Sequence, residues 1–222
     1  MLLSRWLEKY MNTPKRLVQF DVDSTFIQQE AIELLAAKAG VFEQVSAVTE
    51  SAMRGELDFA ESLIARVALL EGLSERLIKE VQEEILLTDG AADLVALLHE
   101  RGDCVSLVSG GFINIIKPLI LDLKIDCYRA NTLEIKDGRL TGKVIPPIID
   151  RAAKGVALLE FADICGVNMA DTVAIGDGAN DLDMMALAGI SIAFNAKPIV
   201  AQMADYEINE ASLKSVAQLL KL

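Results

Sequence analysis

Four short apolar segments, each long enough for one buried strand, alternate with amphipathic helical patterns along the chain. The apolar segments cover residues 17–20, 104–108, 172–175 and 190–194. Helical periodicity lies between them, for example over residues 89–101 and 154–165. Apolar strands that alternate with helices are typical of a parallel sheet covered on both faces. The pattern therefore predicts an α/β fold with a doubly wound parallel-sheet (Rossmann-like) core.

Two insertions interrupt this alternation. Residues 30–87 have helical periodicity and no strand pattern, and Phe59 and Arg66 fall on one helical face. Residues 133–144 alternate around an Asp-Gly dipeptide, which is typical of a tight hairpin turn. We therefore predict an inserted α-helical cap over residues 30–87, a small β-hairpin, and a Rossmann-like core that consists of residues 1–29 and 88–222.

The charge of the chain limits its partners. The sequence has 21 Lys and Arg residues against 33 Asp and Glu residues, which gives a formal net charge of −12. Nucleic-acid binding needs a basic face, so we expect none. No stretch approaches the roughly 18 apolar residues of a membrane helix, so we expect no membrane span. Residues 1–15 lack the apolar core of a signal peptide and predict a short amphipathic helix. We therefore expect a cytoplasmic protein.

The histidine and cysteine residues exclude other chemistries. The single histidine, His99, rules out a multi-histidine metal site, and its helical surroundings predict an ordinary solvated position. The three cysteines, Cys104, Cys127 and Cys165, have no CxxC spacing. We therefore predict three buried free thiols in a reducing compartment.

Polar or glycine-rich clusters follow the first three predicted strands, at the sheet edge where parallel sheets bind ligands. Asp21 and Asp23 follow the first strand, residues 109–111 the second, and residues 176–181 the third. One carboxylate can attack phosphorus, and a second can protonate the leaving oxygen. Asp21 and Asp177 are oxygen ligands of the kind that Mg²⁺ prefers. A DxD pair alone is a weak signal, for which a solvated turn is the default interpretation, but its position at the strand end favours a phosphoryl-transfer site.

At this point the sequence resembles a known family, the haloacid dehalogenase superfamily of aspartyl-phosphate phosphatases. Within it the likeness is greatest to the phosphoserine phosphatases, and it extends from about residue 17 to the carboxyl terminus. Four ordered motifs carry it: Asp21-Val22-Asp23-Ser24-Thr25, Ser109-Gly110-Gly111, Lys154 and Gly176-Asp177-Gly178-Ala179-Asn180-Asp181.

The resemblance implies roles for the core residues. By this resemblance, Asp21 is the nucleophile that becomes the aspartyl phosphate, and Asp23 is the general acid and base. It also implies that Mg²⁺ is held by Asp21, by Asp177 and by the backbone carbonyl of Asp23. The residues that it assigns to the phosphoryl oxygens are Ser109, Gly110, Lys154 and Asn180. We expect Asp181 to act from the second layer of the site, orienting the lysine.

The resemblance also implies substrate contacts from the cap. By this resemblance, Glu30 binds the ammonium group of the substrate and Arg66 binds its carboxylate. Met53 and Phe59 close the pocket. This assignment has a physical rationale, because the planar guanidinium of arginine suits a carboxylate. From the residues alone, Arg66 is equally a surface side chain and Glu30 a charge favoured at a helix N-terminus.

The expected activity is Mg²⁺-dependent hydrolysis of O-phospho-L-serine to L-serine and phosphate through an aspartyl phosphate, a step of serine biosynthesis. One alternative is a phosphatase or phosphotransferase of the same chemistry on another small phosphomonoester. A second is a non-enzymatic phospho-aspartate switch. We also expect a possible homodimer, and no regulatory domain before the core, since about twenty residues precede Asp21.

Overall fold

The computed structural model describes residues 16–53 and 56–222, so the helix predicted for residues 1–15 lies outside the described residues. In the described chain, seven strands form one sheet in the order β4-β3-β2-β1-β5-β6-β7. Neighbouring strands are parallel, except for the antiparallel pair β3 and β4. The strands are β1 (Leu17–Asp21), β2 (Cys104–Phe112), β3 (Cys127–Lys136), β4 (Arg139–Ile145), β5 (Thr172–Gly176), β6 (Ile190–Phe194) and β7 (Tyr206–Ile208).

Helices connect these strands. Between β1 and β2 lie α1 (Ala31–Ala39), α2 (Phe42–Met53), α3 (Phe59–Ala68), α4 (Arg76–Glu84) and α5 (Ala91–Glu100). The later helices are α6 (Ile113–Asp122), α7 (Arg151–Cys165), α8 (Leu182–Leu187), α9 (Pro198–Ala201) and α10 (Lys214–Leu219). None of the described helices is long and apolar enough to cross a membrane. The predicted α/β class is confirmed, including the hairpin of β3 and β4, whereas the boundaries of the cap stay a prediction.

The central strand β1 is buried along its whole length, which fixes the position of its carboxyl end. Val18 and Phe20 belong to one apolar cluster, and Leu17 belongs to another that includes residues of α7. This alternation follows from the two-residue period of a strand. Asp21, the last residue of β1, therefore sits on a rigid support between two packed layers.

The two chain segments that enter and leave the cap run side by side. Ile27 and Leu87 form an antiparallel bridge, and the N–H of Gln28 donates to the carbonyl of Leu86 at 2.9 Å. The side-chain oxygen of Gln29 accepts the N–H of Leu86 at 3.0 Å. These bonds anchor the cap helices next to the carboxyl end of β1, and the cap packs on the hairpin through residues such as Leu140.

Two local predictions need correction. The predicted second strand ended at residue 108, with residues 109–111 as a cluster after it, but β2 continues to Phe112 and α6 begins at Ile113. The register with β3 shifts between Ser109 and Phe112, so residues 110 and 111 form a bulge. We also predicted that Lys154 opens a helix, whereas α7 begins at Arg151 and holds Lys154 in its first turn.

The cysteine prediction is wrong for two of the three thiols. Cys104 and Cys165 form a disulfide bond across a sequence separation of 61 residues. Cys127 is a buried free thiol, and the three sulfur atoms lie within 4.8 Å of one another. The pairing was missed because the topology, and not the spacing, brings the starts of β2 and β3 next to the end of α7.

Candidate active site

The turn after β1 directs two carboxylates to one place. Ser24 has a positive φ of 58°, which bends the chain sharply within residues 22–26. One carboxylate oxygen of Asp23 accepts the N–H of Ala31 at 2.8 Å, at the start of α1. The other accepts the hydroxyl of Ser109 at 2.9 Å. Asp23 is therefore held between the cap and the end of β2.

Lys154 lies at the centre of the carboxylates. Its side chain is fully buried, and Nζ donates to Asp21 at 2.5 Å and to Asp181 at 2.7 Å. The second oxygen of Asp181 accepts the N–H groups of Asp177 and Gly178 at 3.2 and 3.0 Å. Because both oxygens of Asp181 are engaged, its geometry supports the predicted orienting position behind the metal ligands.

The electrostatics of this cluster favour a cation. Burial and the nearby Asp181 raise the pKa of Asp21 well above its ordinary value, although Lys154 acts in the opposite direction. Burial and Asp181 also raise the pKa of Asp177. Burial would lower the pKa of Lys154, but the two neighbouring carboxylates outweigh it and raise that pKa.

A metal ion fits this donor set. Carboxylate oxygens of Asp21, Asp177 and Asp181 lie within 4.8 Å of one another. Hard oxygen donors of this kind suit Mg²⁺, and a divalent charge would offset the repulsion that raises the pKa values of the carboxyls. Lys154 binds one oxygen of Asp21 and one of Asp181, but the second oxygen of Asp181 already accepts two backbone N–H groups. The carboxylates that remain for a metal are therefore those of Asp21, through its other oxygen, and of Asp177.

The segment of residues 109–111, called here the Ser109 loop, needs glycine at two positions. A Cβ atom on Gly111 would lie 2.6 Å from a carboxylate oxygen of Asp23. A Cβ atom on Gly110 would lie 2.9 Å from the ring of Phe59. The bare backbone therefore passes between the carboxylate and the cap, and no Cβ atom of these residues occupies the space beside it.

One cavity of about 600 Å³ joins the sheet edge to the cap. Its size suits a small-molecule ligand. The predicted site residues that line it are Asp21, Asp23, Glu30, Phe59, Arg66, Gly110, Asp177 and Asn180. Ser109, Lys154 and Asp181 are buried and contact those residues from behind. The side chain of Met53, which was predicted to close the pocket, lies outside the described residues.

The cap brings charges of both signs to the cavity. Glu30 accepts the hydroxyl of Ser24 at 2.8 Å, and burial together with the charge of Asp23 raises its pKa to about 7. Arg66 is half-buried, and its Nε donates to the carbonyl of Ser62 at 3.2 Å. Burial lowers the pKa of Arg66, while Glu30 and Asp23 oppose this shift. An anion and a cation thus face one ligand space.

Sequence reasoning gave no role to several polar residues of the site. Arg151 and Lys197 line the cavity, and the hydroxyl of Thr25 donates to Asp177 at 3.3 Å. Lys197 comes shortly after β6, so the rule that drew attention to the other strand ends would have found it. Arg151 lies one turn before Lys154 on the same helix, but its sequence surroundings carry no separate signal.

This fold and site define a class of protein. The model of the haloacid dehalogenase-like hydrolases matches residues 18–186. The chain belongs to this family, which confirms the resemblance on which the residue roles were based.

Two curated relatives are similar to this chain over more than nine-tenths of its length. The chain is 52% identical over 206 residues to phosphoserine phosphatase SerB2 of Mycobacterium tuberculosis, which covers 93% of this chain and 50% of that protein. It is 47% identical over 210 residues to the phosphoserine phosphatase of Streptococcus thermophilus, with coverage of 95% and 98%. The chain thus spans about half the length of the first relative and nearly all of the second.

Solved structures show the same likeness. A substrate-bound phosphoserine phosphatase complex superposes with a TM-score of 0.87 at 41% identity, covering 92% of this chain and 97% of that one. A phospho-aspartyl intermediate analogue of phosphoserine phosphatase gives a TM-score of 0.87 at 41% identity, with coverage of 93% and 99%.

Proposed function

We propose that this hydrolase is a Mg²⁺-dependent phosphoserine phosphatase, which converts O-phospho-L-serine to L-serine and phosphate. The observation that carries the proposal is that one cavity joins the carboxylates of the sheet edge, which Lys154 contacts from behind, to Glu30 and Arg66 of the cap. Phosphoserine carries a phosphate, an ammonium group and a carboxylate. These groups need a phosphoryl site, an anion and a cation, respectively.

The first half of the reaction transfers the phosphoryl group to the protein. A carboxylate oxygen of Asp21 attacks phosphorus, and an Asp21 O–P bond forms as the bond to the serine oxygen breaks. Asp23 gives its proton to the departing serine oxygen. Burial raises the pKa of Asp23, which supports its role as the acid, although the Ala31 N–H and the Ser109 hydroxyl stabilise its charged form.

The second half releases phosphate. Asp23, now a carboxylate, takes a proton from a water molecule whose oxygen attacks phosphorus. The bond between Asp21 and phosphorus then breaks, which restores the free carboxylate and yields inorganic phosphate. Because α1 and α3 contribute residues to the cavity wall, the cap is placed where it would limit the entry of water during the first half.

The other residues supply charge and orientation. Asp21, Asp177 and the backbone carbonyl of Asp23 would hold Mg²⁺, which supplies positive charge to the phosphoryl oxygens. The groups that would bind those oxygens are Ser109, the Gly110 N–H, Lys154 and Asn180. Phosphoryl transfer depends mainly on such positioning and charge stabilisation. The cytoplasmic location and the homodimer stay predictions.

The alternatives have less support. Hydrolysis or transfer from another phosphomonoester uses the same sheet-edge residues but gives no role to the opposite charges of Glu30 and Arg66. A phospho-aspartate switch must preserve its phosphoryl group. Here Asp23 is held in place by the Ala31 N–H and the Ser109 hydroxyl, where it would activate the water that removes the phosphoryl group from Asp21.

The Arg66→Ala variant tests the substrate assignment. We expect kcat/KM for phosphoserine to fall by about 10- to 100-fold, the usual effect of losing a hydrogen bond between charged groups. Phosphoethanolamine lacks the carboxylate, so its kcat/KM is expected to change by less than about 3-fold. Steady-state phosphate release from both esters measures this difference. An equal loss on the two substrates would contradict the assignment of Arg66 to the carboxylate.

A further inference from the structure

The bulge in β2 takes two residues out of the regular pairing between β2 and β3. Residues 110 and 111 fall between the register positions Ser109↔Ala130 and Phe112↔Asn131. A carbonyl that leaves the strand register at a bulge needs a hydrogen-bond donor from elsewhere, and Gly110 is half-buried. Here the donor is the side chain of Asn131 on β3, whose Nδ2 donates to the carbonyl of Gly110 at 2.8 Å.

Asn131 also reaches the segment that leads into α7. Its Oδ1 accepts the N–H of Ile149 at 2.8 Å, and Nδ2 is 3.4 Å from the Ile149 carbonyl. The next residue, Asp150, caps α7 by accepting the N–H of Ala153 at 2.8 Å. Lys154 follows in the first turn of that helix. One fully buried carboxamide thus connects the Ser109 loop to the start of the helix that carries the buried lysine.

A directed series of hydrogen bonds runs from Asn131 to the acid. The Gly110 carbonyl that Asn131 binds belongs to the same peptide plane as the N–H of Gly111. That N–H donates to the Ser109 hydroxyl oxygen at 2.7 Å, and the hydroxyl donates to Asp23 at 2.9 Å. Rotation of the peptide plane would remove the bond to Ser109, and linked bonds of this kind strengthen one another.

We propose that Asn131 is a positioning residue of the reaction. It fixes the Gly110–Gly111 peptide through the Gly110 carbonyl, and thereby sets the position of the Gly111 N–H and of the Ser109 hydroxyl, which that N–H binds beside the phosphoryl site. The inference rests on the proposed function, which places phosphate at the Ser109 loop. Active sites generally need such residues, because reactive groups must be held within about 0.5 Å of their productive geometry.

The chain offers a matched control in Asn114 on α6. Its Oδ1 accepts the N–H of Leu133 at 2.8 Å, and its Nδ2 donates to the carbonyl of Leu133 at 3.3 Å. Asn114 therefore makes the same pair of bonds to one backbone residue that Asn131 makes to Ile149. The bond to Gly110 is the additional contact of Asn131, so a comparison of the two asparagines isolates the effect on the Ser109 loop.

The test compares Asn131→Ala with Asn114→Ala in the full chain with Mg²⁺. For Asn131→Ala we expect kcat/KM to fall by about 10- to 100-fold, and by the same factor for phosphoserine and phosphoethanolamine, because the defect lies at the phosphate. We also expect the Kd of inorganic phosphate, measured by calorimetry, to rise about 10-fold. Asn114→Ala is expected to change each value by less than about 2-fold.

Urea unfolding of both variants measures their stability independently of their activity. A loss of activity caused by unfolding can therefore be distinguished from one caused by a misplaced Ser109 loop. Equal kinetic and phosphate-binding defects in the two variants would overturn the proposal, as would normal phosphate affinity in Asn131→Ala. If that variant does not fold, Asn131→Asp replaces it, since a carboxylate keeps the acceptor for Ile149 and loses the donor to Gly110. Unchanged kcat/KM in Asn131→Asp would overturn the proposal. A wild-type protein that binds phosphate but does not turn over phosphoserine would refute the proposed function, while the phosphate-binding comparison would still test Asn131.

Discussion

Replacing Asp21 with Asn is expected to abolish phosphoserine hydrolysis, with a fall in kcat of roughly 10⁴-fold or more. The amide has almost the same shape as the carboxylate, but it is a poor nucleophile toward phosphorus. The protein is expected to unfold at a temperature no lower than that of the wild type without Mg²⁺. Burial and the neighbouring carboxylates already raise the pKa of Asp21, so the charged form is costly in the folded state.

A matched control for this variant is Asp122→Asn, at the exposed end of α6. Its kcat is expected to stay within about 2-fold of the wild type. The measurement is phosphate release combined with thermal unfolding of each variant. Substantial turnover in a folded Asp21→Asn protein would show that another group attacks phosphorus.

The Lys154→Met variant is expected to lose both activity and stability. Methionine has a similar length but leaves Asp21 and Asp181 buried without their ammonium partner. Breaking such a buried pair typically costs about 3–5 kcal/mol, which urea unfolding can measure. The raised pKa of Asp21 favours its protonation as the pH falls, which relieves the repulsion, so the loss of stability relative to the wild type is expected to be larger at pH 8 than at pH 5.

Two further variants make this prediction specific. Lys197→Met removes an exposed lysine at the rim of the same cavity and is expected to change the free energy of unfolding by less than about 0.5 kcal/mol. Adding Asp181→Asn to Lys154→Met removes one of the uncompensated charges and is expected to restore part of the lost stability. A Lys154→Met protein as stable as the wild type at pH 8 would contradict the electrostatic account of the site.

Much of the fold could be predicted from sequence, because buried parallel strands are short apolar segments. The segment 190–194 matches β6, and the segment 17–20 differs from β1 by one residue. The strands β3 and β7 were harder to predict. The outer half of β3 was recognised from its hairpin turn, but its inner half, which pairs with β2, carries polar residues such as Arg129 and Asn131. Tertiary pairing, and not local composition, determines those positions.

The polar ends of the strands were predictable for a simple physical reason. A parallel sheet brings the carboxyl ends of its strands to one edge, so Asp21, the Ser109 loop and Asp177 had to lie near one another. The contacts between Lys154 and two carboxylates depend instead on how α7 packs across the sheet. That packing has no local signal, and the family resemblance supplied the lysine.

Other features depend on three-dimensional packing alone. An asparagine within a strand is usually unremarkable, and only the bulge in β2 gives Asn131 a carbonyl to bind. The disulfide between Cys104 and Cys165 likewise depends on the end of α7 reaching the start of β2. Sequence spacing contains neither relationship.

The most direct test of the central claim is phosphate release by the wild-type protein with Mg²⁺ from a panel of phosphomonoesters. The panel contains L- and D-phosphoserine, phosphothreonine, phosphoethanolamine, a sugar phosphate and a nucleotide. We expect L-phosphoserine to have the highest kcat/KM, at least about 10-fold above phosphoethanolamine, because phosphoethanolamine lacks the carboxylate that we assign to Arg66. Preferential hydrolysis of the sugar phosphate or the nucleotide, or no release from L-phosphoserine, would contradict the account.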